Sequence, residues 1–196
     1  HHEADVVIVG GGFTGLWTAY QLREADPSLT VVVLEREVIG FGASGRNGGQ
    51  AIYGLACDIT TIEDQLGRDD AKRVFAMTVE ALDLMRARIQ RHAIDCDWRD
   101  GFLCVATSAR KARALRDDAE LLASRYDHAL TWIDRAELPR WIASPRYAAG
   151  AYDPRSGHLH PLKYALGLAR TAASLGVRVH EGSAVTALHR DGDGVA

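Results

Sequence analysis

The N-terminal segment joins a short apolar strand to a glycine-rich turn and a helix. Residues 6–9 are apolar, Gly10-Gly11-Gly12-Phe13-Thr14-Gly15 follows, and residues 16–22 favour a helix. In this G-x-G-x-x-G pattern the first glycine permits a tight turn. The second lets phosphates approach the backbone, and the third lets the helix pack on the strand. Because N–H groups at a helix N-terminus attract anions, the segment predicts a pyrophosphate site.

An acidic residue follows the second apolar segment. Residues 30–34 predict a strand that ends at Glu35, at about the twenty-residue spacing expected for a ribose-binding carboxylate. Such a carboxylate accepts hydrogen bonds from the ribose hydroxyls of a dinucleotide. Nicotinamide and flavin dinucleotides share both features, so these two segments leave the choice of cofactor open.

A second glycine-rich loop comes directly after the acidic strand. Residues 40–50 read Gly-Phe-Gly-Ala-Ser-Gly-Arg-Asn-Gly-Gly-Gln. Closely spaced glycines permit sharp backbone curvature, and successive N–H groups can form an anion-binding nest near the same pyrophosphate. Ser44, Arg46 and Asn47 add side-chain donors. A long loop of this kind favours a flavin dinucleotide, because it can follow the phosphates and the ribityl chain.

Composition narrows the class of protein. The chain has 196 residues, 47% of them hydrophobic, and a net charge of −3, which offers no broad basic surface for nucleic acid. No apolar run reaches the ~20 residues that a membrane span needs. Cys57, Cys96 and Cys104 lack metal-binding spacing and predict thiols in a reducing cytoplasm, with no metal site. His1 and His2 are interpreted as the remnant of a tag.

The middle of the chain carries weaker patterns. Apolar positions over residues 71–89 repeat at helical spacing and predict a long helix from about residue 61. Two short strands are expected around the turn Asp100–Gly101, then a helix over 112–126, a strand over 131–133 and a short helix over 135–142. A strand over 146–152 is expected to end at a turn, residues 153–157.

The strand and helix pattern returns near residue 156. Pro161 suits a first helical turn, Gly176 suits a helix end, and residues 177–180 favour a strand. A nucleotide-binding domain of residues 3–92 and 156–196 is therefore predicted, interrupted by a small α+β insertion of residues 93–155. Residues 191–194 read as a hairpin turn with almost no return strand. The sequence is interpreted as the N-terminal portion of a longer protein.

The motifs together resemble the FAD-dependent amine and amino-acid oxidoreductases of the D-amino-acid oxidase superfamily, and most of all the gamma-glutamylputrescine oxidase branch. The similarity rests on residues 5–15, 34–35, 39–50 and 160–185, of which Gly-Ala-Ser-Gly-Arg-Asn-Gly-Gly is the most specific part. The resemblance implies an α/β fold with a Rossmann-like FAD/NAD(P)-binding domain, a mainly parallel sheet in three layers, and an inserted part of a substrate-binding domain.

The resemblance also implies which residues surround FAD. Glu35 is expected at the adenosine ribose, Arg36 beside the adenine, and Val185, in the strand after the resumed helix, at the adenine through its backbone. The remaining expected contacts come from the two glycine-rich loops: Gly10, Gly12, Phe13, Thr14, Gly15, Ala43, Ser44, Arg46, Asn47, Gly48 and Gly49. No catalytic residue is assigned.

The implied reaction is oxidation of the C–N bond of an amine or amino-acid substrate to an imine, with oxygen as acceptor and hydrogen peroxide as product. Two alternatives stay open. One is an FAD dehydrogenase of the same fold that passes electrons to a quinone or a partner protein. The other is an inactive nucleotide-binding piece that needs a missing C-terminal portion or a second chain.

Overall fold

The computed structural model describes residues 3–192 and 194–195. His1, His2 and Asp193 of the expected hairpin turn lie outside the described residues. In chain order the elements are β1 (Val6–Val9), α1 (Phe13–Ala25), β2 (Val31–Leu34), β3 (Gln50–Ala51), α2 (Ile59–Leu66), α3 (Arg68–Arg91), β4 (Arg99–Ala106), α4 (Ala109–Tyr126), β5 (Thr131–Asp134), β6 (Ala149–His158), α5 (Pro161–Ser174), β7 (Arg178–His180), β8 (Arg190–Asp191) and β9 (Gly194–Val195).

The contacts divide the chain into two compact units. The first unit comprises residues 1–49, 89–97 and 159–196, and the second comprises residues 50–88 and 98–158. We call them the parallel-sheet unit and the antiparallel-sheet unit, after the sheets that they contain.

The parallel-sheet unit is built on three parallel strands in the order β1-β2-β7. One face of β1 and β2 packs with α1 and α5 in a core that includes Leu16, Val31, Val33 and Leu168, each 0–1% exposed. Alternate residues of a strand point to opposite faces. Val7 and Val9, on the other face of β1, accordingly lie outside this core and are 52% and 58% exposed. The predicted α/β fold with a parallel sheet is confirmed.

The antiparallel-sheet unit is organised around the long strand β6. One edge of β6 pairs with β4, and the other edge pairs with β3 and β5. Helices α3 and α4 meet in a separate apolar cluster, in which the rings of Phe75 and Tyr126 lie 5.0 Å apart. This unit therefore has its own sheet and its own core.

Several predicted elements need correction. The stretch expected as one long helix is two, because α2 ends at Leu66, Gly67 adopts φ +80°, and α3 begins at Arg68. The two short strands expected around Asp100–Gly101 are the single strand β4. Only residues 138–140 of the expected short helix are helical, as one 3₁₀ turn.

The turn expected at residues 153–157 lies within β6. Phe102 pairs with Asp153 and Asp100 with Gly157, so residues 154–156 of β6 form an irregularity opposite Gly101. The Asp153 carboxylate accepts hydrogen bonds from the Arg155 and Ser156 amides, each at 3.0 Å. The turn-forming residues therefore shape a β-bulge rather than end the strand.

The two units also differ in extent from the predicted domains. Residues 50–88 group with the antiparallel-sheet unit because β3 pairs with β6 and α3 packs with α4. Residues 89–97 group with the other unit, where Ile94 packs closely against Gly167 of α5. An amphipathic stripe shows that a helix has a buried face without identifying its partner, so the sequence did not indicate that α3 packs with α4. The roles predicted for the two domains remain predictions.

Among residues 3–192 and 194–195, no helix combines the length and the apolar character that a bilayer crossing requires.

Candidate dinucleotide-binding site

Two glycines of the turn between β1 and α1 disfavour a side chain, Gly10 through its backbone conformation and Gly15 through lack of space. Gly10 adopts φ +105°, a conformation that favours glycine. A Cβ at Gly15 would overlap the Gly10 carbonyl oxygen and lie 3.2 Å from Cγ2 of Ile8. The third glycine of the pattern thus allows the close packing of helix and strand that the sequence predicted.

Glu35 lies at the carboxyl end of β2, next to this turn. Its Oε2 accepts a hydrogen bond from the Gly11 amide at 2.7 Å, and its Oε1 accepts one from the Glu37 amide at 2.9 Å. Each carboxylate oxygen has a second lone pair. The side chain is therefore fixed by two backbone donors while it keeps acceptor capacity for a ligand hydroxyl.

The second glycine-rich loop lies directly against the first. The Gly40 amide donates to the Gly11 carbonyl oxygen at 3.3 Å. The Phe13 amide, in the first turn of α1, donates to Oγ of Ser44 at 2.9 Å. A Cβ at Gly12 would approach the same Oγ to 2.9 Å. The prediction that the two loops adjoin is confirmed by these contacts.

Ser44 supplies a cap that α1 lacks locally. The N-cap residue, Gly12, has no side chain to satisfy the exposed amides of the first turn. Ser44 accepts from Phe13 across 31 positions of sequence. This contact holds the second loop at the N-terminus of α1, where other first-turn amides can meet an anion.

Replacing Ser44 with alanine is expected to destabilise the parallel-sheet unit by about 1 kcal/mol, because the Phe13 amide loses its acceptor. Urea unfolding would measure the change. Ser183→Ala is the matched control. The Ser183 hydroxyl donates to the Glu181 carbonyl oxygen at 3.1 Å in an exposed segment, so this bond gives no acceptor to a helix amide. Equal losses in the two variants would contradict a capping role for Ser44.

The second loop is shaped by its own glycines and by Asn47. Gly49 adopts φ +73°, and a Cβ there would overlap the Leu159 carbonyl oxygen. The Asn47 side-chain amide donates to the carbonyl oxygens of Ala43 and Ser44 at 3.1 and 3.0 Å, and its Oδ1 accepts from the Gly49 amide at 2.8 Å. These bonds commit Asn47 to the shape of the loop.

Two arginines among the predicted site residues, Arg46 and Arg36, are exposed. The Arg46 guanidinium stacks over the Phe41 ring at 4.3 Å. Nε of Arg36 lies 3.3 Å from a carboxylate oxygen of Glu37, with both side chains exposed. Exposed pairs of this kind contribute little to stability. Both guanidinium groups can therefore reorient toward a ligand at small cost.

A third segment, after β7, contacts the chain between the end of β2 and the second loop. The Ser183 amide donates to the Glu35 carbonyl oxygen at 2.8 Å, and Oε1 of Glu181 accepts from the Ile39 amide at 2.7 Å. Sequence reasoning assigned Glu181 no role. Its position in the sequence could have revealed it, because Glu181 directly follows β7 just as Glu35 follows β2. Parallel strands end at one edge of a sheet, so the two carboxylates are expected at the same edge.

Val185 was expected within a strand, but β7 ends at His180. Val185 is half-buried and lies in a segment without regular secondary structure. The chain before Val185 still lies beside the end of β2, because the amides of Gly182 and Ser183 donate to the carbonyl oxygens of Glu37 and Glu35.

Helix α5 packs beneath the first loop. The rings of Phe13 and Tyr164 lie 5.3 Å apart, and Nε1 of Trp17 donates to the Tyr164 hydroxyl at 3.0 Å. Burial raises the pKa of Tyr164 above its usual range, against the opposite effect of the Trp17 hydrogen bond. Tyr164 is therefore a neutral packing residue that steadies the start of α1.

The predicted site residues fall in four stretches of the parallel-sheet unit. They are Gly10, Gly12, Phe13, Thr14 and Gly15 in the first loop, Glu35 and Arg36 after β2, Ala43, Ser44, Arg46, Asn47, Gly48 and Gly49 in the second loop, and Val185 after β7. Glycines without room for a Cβ, first-turn amides and a carboxylate fixed at a strand end suit the adenosine diphosphate half of FAD. The fold and the site define a dinucleotide-binding protein.

The family profile described as FAD dependent oxidoreductase (DAO) matches residues 5–196. The chain belongs to this family, whose cofactor is FAD. Gamma-glutamylputrescine oxidoreductase of Escherichia coli (strain K12) is 43% identical over 182 residues, covering 93% of this chain and 42% of that protein. The probable oxidoreductase OrdL of Haemophilus influenzae is 40% identical over 188 residues, with coverages of 93% and 42%. The chain thus spans about two-fifths of the length of these curated relatives.

Solved structures share the fold. Glycine oxidase from Geobacillus kaustophilus superimposes with a TM-score of 0.74 at 22% identity, covering all of this chain and 51% of that one. An L-amino acid deaminase structure from Proteus vulgaris gives a TM-score of 0.78 at 24% identity, with coverages of 99% and 48%. The predicted Rossmann-like flavoprotein fold is thereby confirmed.

Proposed function

We propose that this chain carries the FAD-binding part of an oxidoreductase that converts the C–N bond of an amine or amino acid to an imine, with oxygen as electron acceptor. The observation that carries the proposal is the contact of the two glycine-rich loops beside the fixed carboxylate of Glu35. The names of relatives favour an amine substrate: gamma-glutamylputrescine oxidoreductase, 4-methylaminobutanoate oxidase and sarcosine oxidase subunit beta.

The proposed contacts follow from the geometry of the loops. The amides of Gly12 and Thr14 would receive the pyrophosphate, and Glu35 would accept from the adenosine ribose. The Val185 backbone and Arg36 would lie at the adenine. Arg46 and the glycines of the second loop would follow the cofactor toward its ring.

The chemistry comes from the flavin, which when bound accepts a hydride equivalent from the carbon that bears the amine. Water then hydrolyses the imine product, and oxygen takes the two electrons and two protons as hydrogen peroxide. The residues of this chain bind and orient the cofactor. No acid–base side chain is required when an uncharged amine is held at the ring, so we assign no catalytic residue.

Glu35→Gln is expected to weaken ADP binding by about tenfold or more, because a carboxamide replaces one acceptor oxygen with a donor that faces an amide N–H. Isothermal titration of the chain with ADP and with 2′-deoxy-ADP would measure it. Wild-type chain should prefer ADP over the deoxy analogue, and the variant should lose that preference. Glu37→Gln, an exposed neighbour, is the matched control and should keep it.

Equal affinity of the wild-type chain for ADP and 2′-deoxy-ADP would contradict the assignment of Glu35 to the ribose. Loss of discrimination in Glu37→Gln would contradict it as well. The comparison of two ligands on one protein separates a lost ribose contact from a general loss of stability, which would weaken both ligands equally.

The activity is tested with the gene product that carries these 196 residues. We expect a flavin absorption spectrum, FAD released on denaturation, and peroxide formation with one member of a panel of polyamines, gamma-glutamylated amines, sarcosine, glycine and D-amino acids. Reduction of a quinone or dye without oxygen consumption would instead indicate a dehydrogenase. We expect weak or absent FAD in the 196-residue chain by itself, where ADP is the better probe.

Absence of flavin from the gene product, together with no binding of ADP by the chain, would refute the proposed function. Absence of flavin with intact ADP binding would favour an incomplete nucleotide-binding piece that needs a second chain. The cytoplasmic location expected from the cysteines stays a prediction.

A further inference from the structure

One end of the antiparallel-sheet unit collects exposed cations. Ala106 of β4 and Asp134 of β5 both pair with Ala149, the first residue of β6, so the segments that follow β4 and β5 lie at the same end of the sheet. These segments are residues 107–113 and 135–148, and we call them the basic end. Their lysines and arginines are all exposed: Arg110, Lys111, Arg113, Arg135, Arg140 and Arg146.

The basic end has a charge opposite to that of the chain. It carries six lysines and arginines and one acid, Glu137, a net charge of +5, whereas the whole chain has −3. The nearby Asp134 carboxylate lies 3.6 Å from the Arg116 guanidinium and accepts from Nε1 of Trp132. In the part of the chain that the structure describes, none of the six cations forms an ion pair, so their charge is uncompensated there.

Two of these cations lie in the first turn of α4, where they oppose the helix dipole. Arg110 and Lys111 follow the N-cap residue Ser108, and this turn contains no acidic residue. Because a helix N-terminus carries partial positive charge, cations there are ordinarily unfavourable. An anionic partner outside the fold would offset this repulsion.

An exposed tryptophan lies within the basic end. Trp141 follows the 3₁₀ turn of residues 138–140 and is 46% exposed. Its ring packs on the Tyr152 ring with centroids 4.7 Å apart, and Leu138 at the start of the turn is buried. The turn is thus anchored to the sheet while the indole ring stays accessible.

We propose that the basic end docks on an anionic lipid surface, with its cations at the headgroups and the Trp141 ring at the bilayer interface. Clusters of roughly four to eight lysines and arginines attract anionic bilayers, and each cation strengthens binding by about fivefold. Nucleic acids and acidic polypeptides also attract cations. An exposed tryptophan among arginines favours the lipid surface, because its amphipathic ring suits the headgroup level. This inference does not rest on the proposed function.

Sedimentation with lipid vesicles tests the proposal, using the gene product that carries these 196 residues. One set of vesicles contains equal parts of phosphatidylglycerol and phosphatidylcholine, and the other contains phosphatidylcholine alone. We expect binding to the anionic vesicles that is stronger by about tenfold or more. It should be largely lost in about 0.5 M salt, which screens the charges.

A pair of arginine substitutions tests the role of the charge. Arg140→Gln together with Arg146→Gln should weaken binding to the anionic vesicles by about 25-fold. Arg73→Gln together with Arg99→Gln is the matched control, with the same change in net charge. Both control arginines are exposed in the same unit, and Arg99 pairs with His158 at the opposite end of β6. The control should stay within about twofold of wild type.

Tryptophan fluorescence tests the second part of the proposal. The emission of the wild-type protein should shift to shorter wavelength on the anionic vesicles, and Trp141→Ala should abolish that shift. Because Trp141 packs on Tyr152, its truncation also removes a packing contact. The exposed arginine pair makes no such contact in the described residues, so its result holds independently of folding.

Several results would overturn the proposal. They are equal binding to the two kinds of vesicle, equal losses from the arginine pair and the control pair, or an emission shift that survives Trp141→Ala. A single-stranded oligonucleotide and poly-glutamate are supplied in parallel. Saturable binding of either one without retention on vesicles would show a surface for nucleic acid or for an acidic polypeptide in place of lipid.

Discussion

Gly15→Ala is expected to destabilise the parallel-sheet unit by about 3 kcal/mol, at the upper end of the usual cost of overpacking. Alanine in a helix is ordinarily favoured over glycine by about 1 kcal/mol, so an ordinary helical site would give the opposite sign. Here the new Cβ would overlap the Gly10 carbonyl oxygen, which is backbone and cannot rotate away. The turn, and with it the amides of Gly12 and Thr14, must shift.

Gly42→Ala is the matched control for this prediction. Gly42 has φ −78° and no atom within 4 Å of an added Cβ. We expect a change within about 0.5 kcal/mol in urea unfolding and unchanged ADP affinity. Gly15→Ala should lose ADP binding at urea concentrations where it is still folded. Similar unfolding free energies for the two variants would contradict close packing of α1 on β1.

Asp153→Ala is expected to destabilise the antiparallel-sheet unit by about 3–5 kcal/mol. Asp153 is 2% exposed and Ser156 is fully buried. The carboxylate accepts from the Ser156 hydroxyl at 2.5 Å and from the amides of Arg155 and Ser156, and Nε2 of His128 lies 3.6 Å from it. Truncation would leave the Ser156 hydroxyl and the amides of Arg155 and Ser156 without their acceptor.

Asp153→Asn and Asp117→Ala calibrate the effect. Asparagine keeps one acceptor oxygen, so its loss should be smaller than that of alanine. Asp117 is exposed on α4, and its truncation should change stability by no more than about 0.5 kcal/mol. Urea unfolding at pH 7 measures all three. A loss below about 1 kcal/mol for Asp153→Ala would contradict the role of Asp153 as the acceptor that organises the bulge.

The same carboxylate predicts a dependence on pH. Burial by itself would raise the pKa of Asp153, but the nearby His128 imidazole and the hydrogen bonds from Ser156 and the Arg155 amide outweigh burial and lower it. A lowered folded-state pKa contributes stability that is fully present above the unfolded-state pKa of 3.8 and is lost as the pH falls through the folded-state value. As the pH is lowered from 5, the free energy of unfolding of the wild-type chain should therefore fall more than that of Asp153→Asn.

The parallel-sheet unit was largely predictable because its signals are local. The glycine pattern, Glu35 and the second loop each carry their meaning within a few residues, and parallel strands bring the three to one edge of the sheet. Sequence spacing did not reveal that Ser44 caps α1 or that Asn47 bonds to its own loop, since both depend on how two distant turns meet.

The antiparallel-sheet unit was less predictable because its structure depends on contacts between distant segments. Asp153 and Pro154 are typical of turns, yet pairing along β4 keeps them within a strand and makes a bulge. The stripe of α3 showed a buried face but not that α4 covers it. Tertiary contacts overrode the local turn preference in the first case and determined the packing partner of the helix in the second.

Backbone NMR of the labelled 196-residue chain during titration with ADP tests the central claim most directly. If the two glycine-rich loops hold one diphosphate, the amide resonances of Gly12, Thr14 and Ser44 shift together with a single dissociation constant, while that of Gly101 in the antiparallel-sheet unit does not move. Shifts confined to one loop, or shifts only outside residues 10–15 and 40–49, would contradict the account.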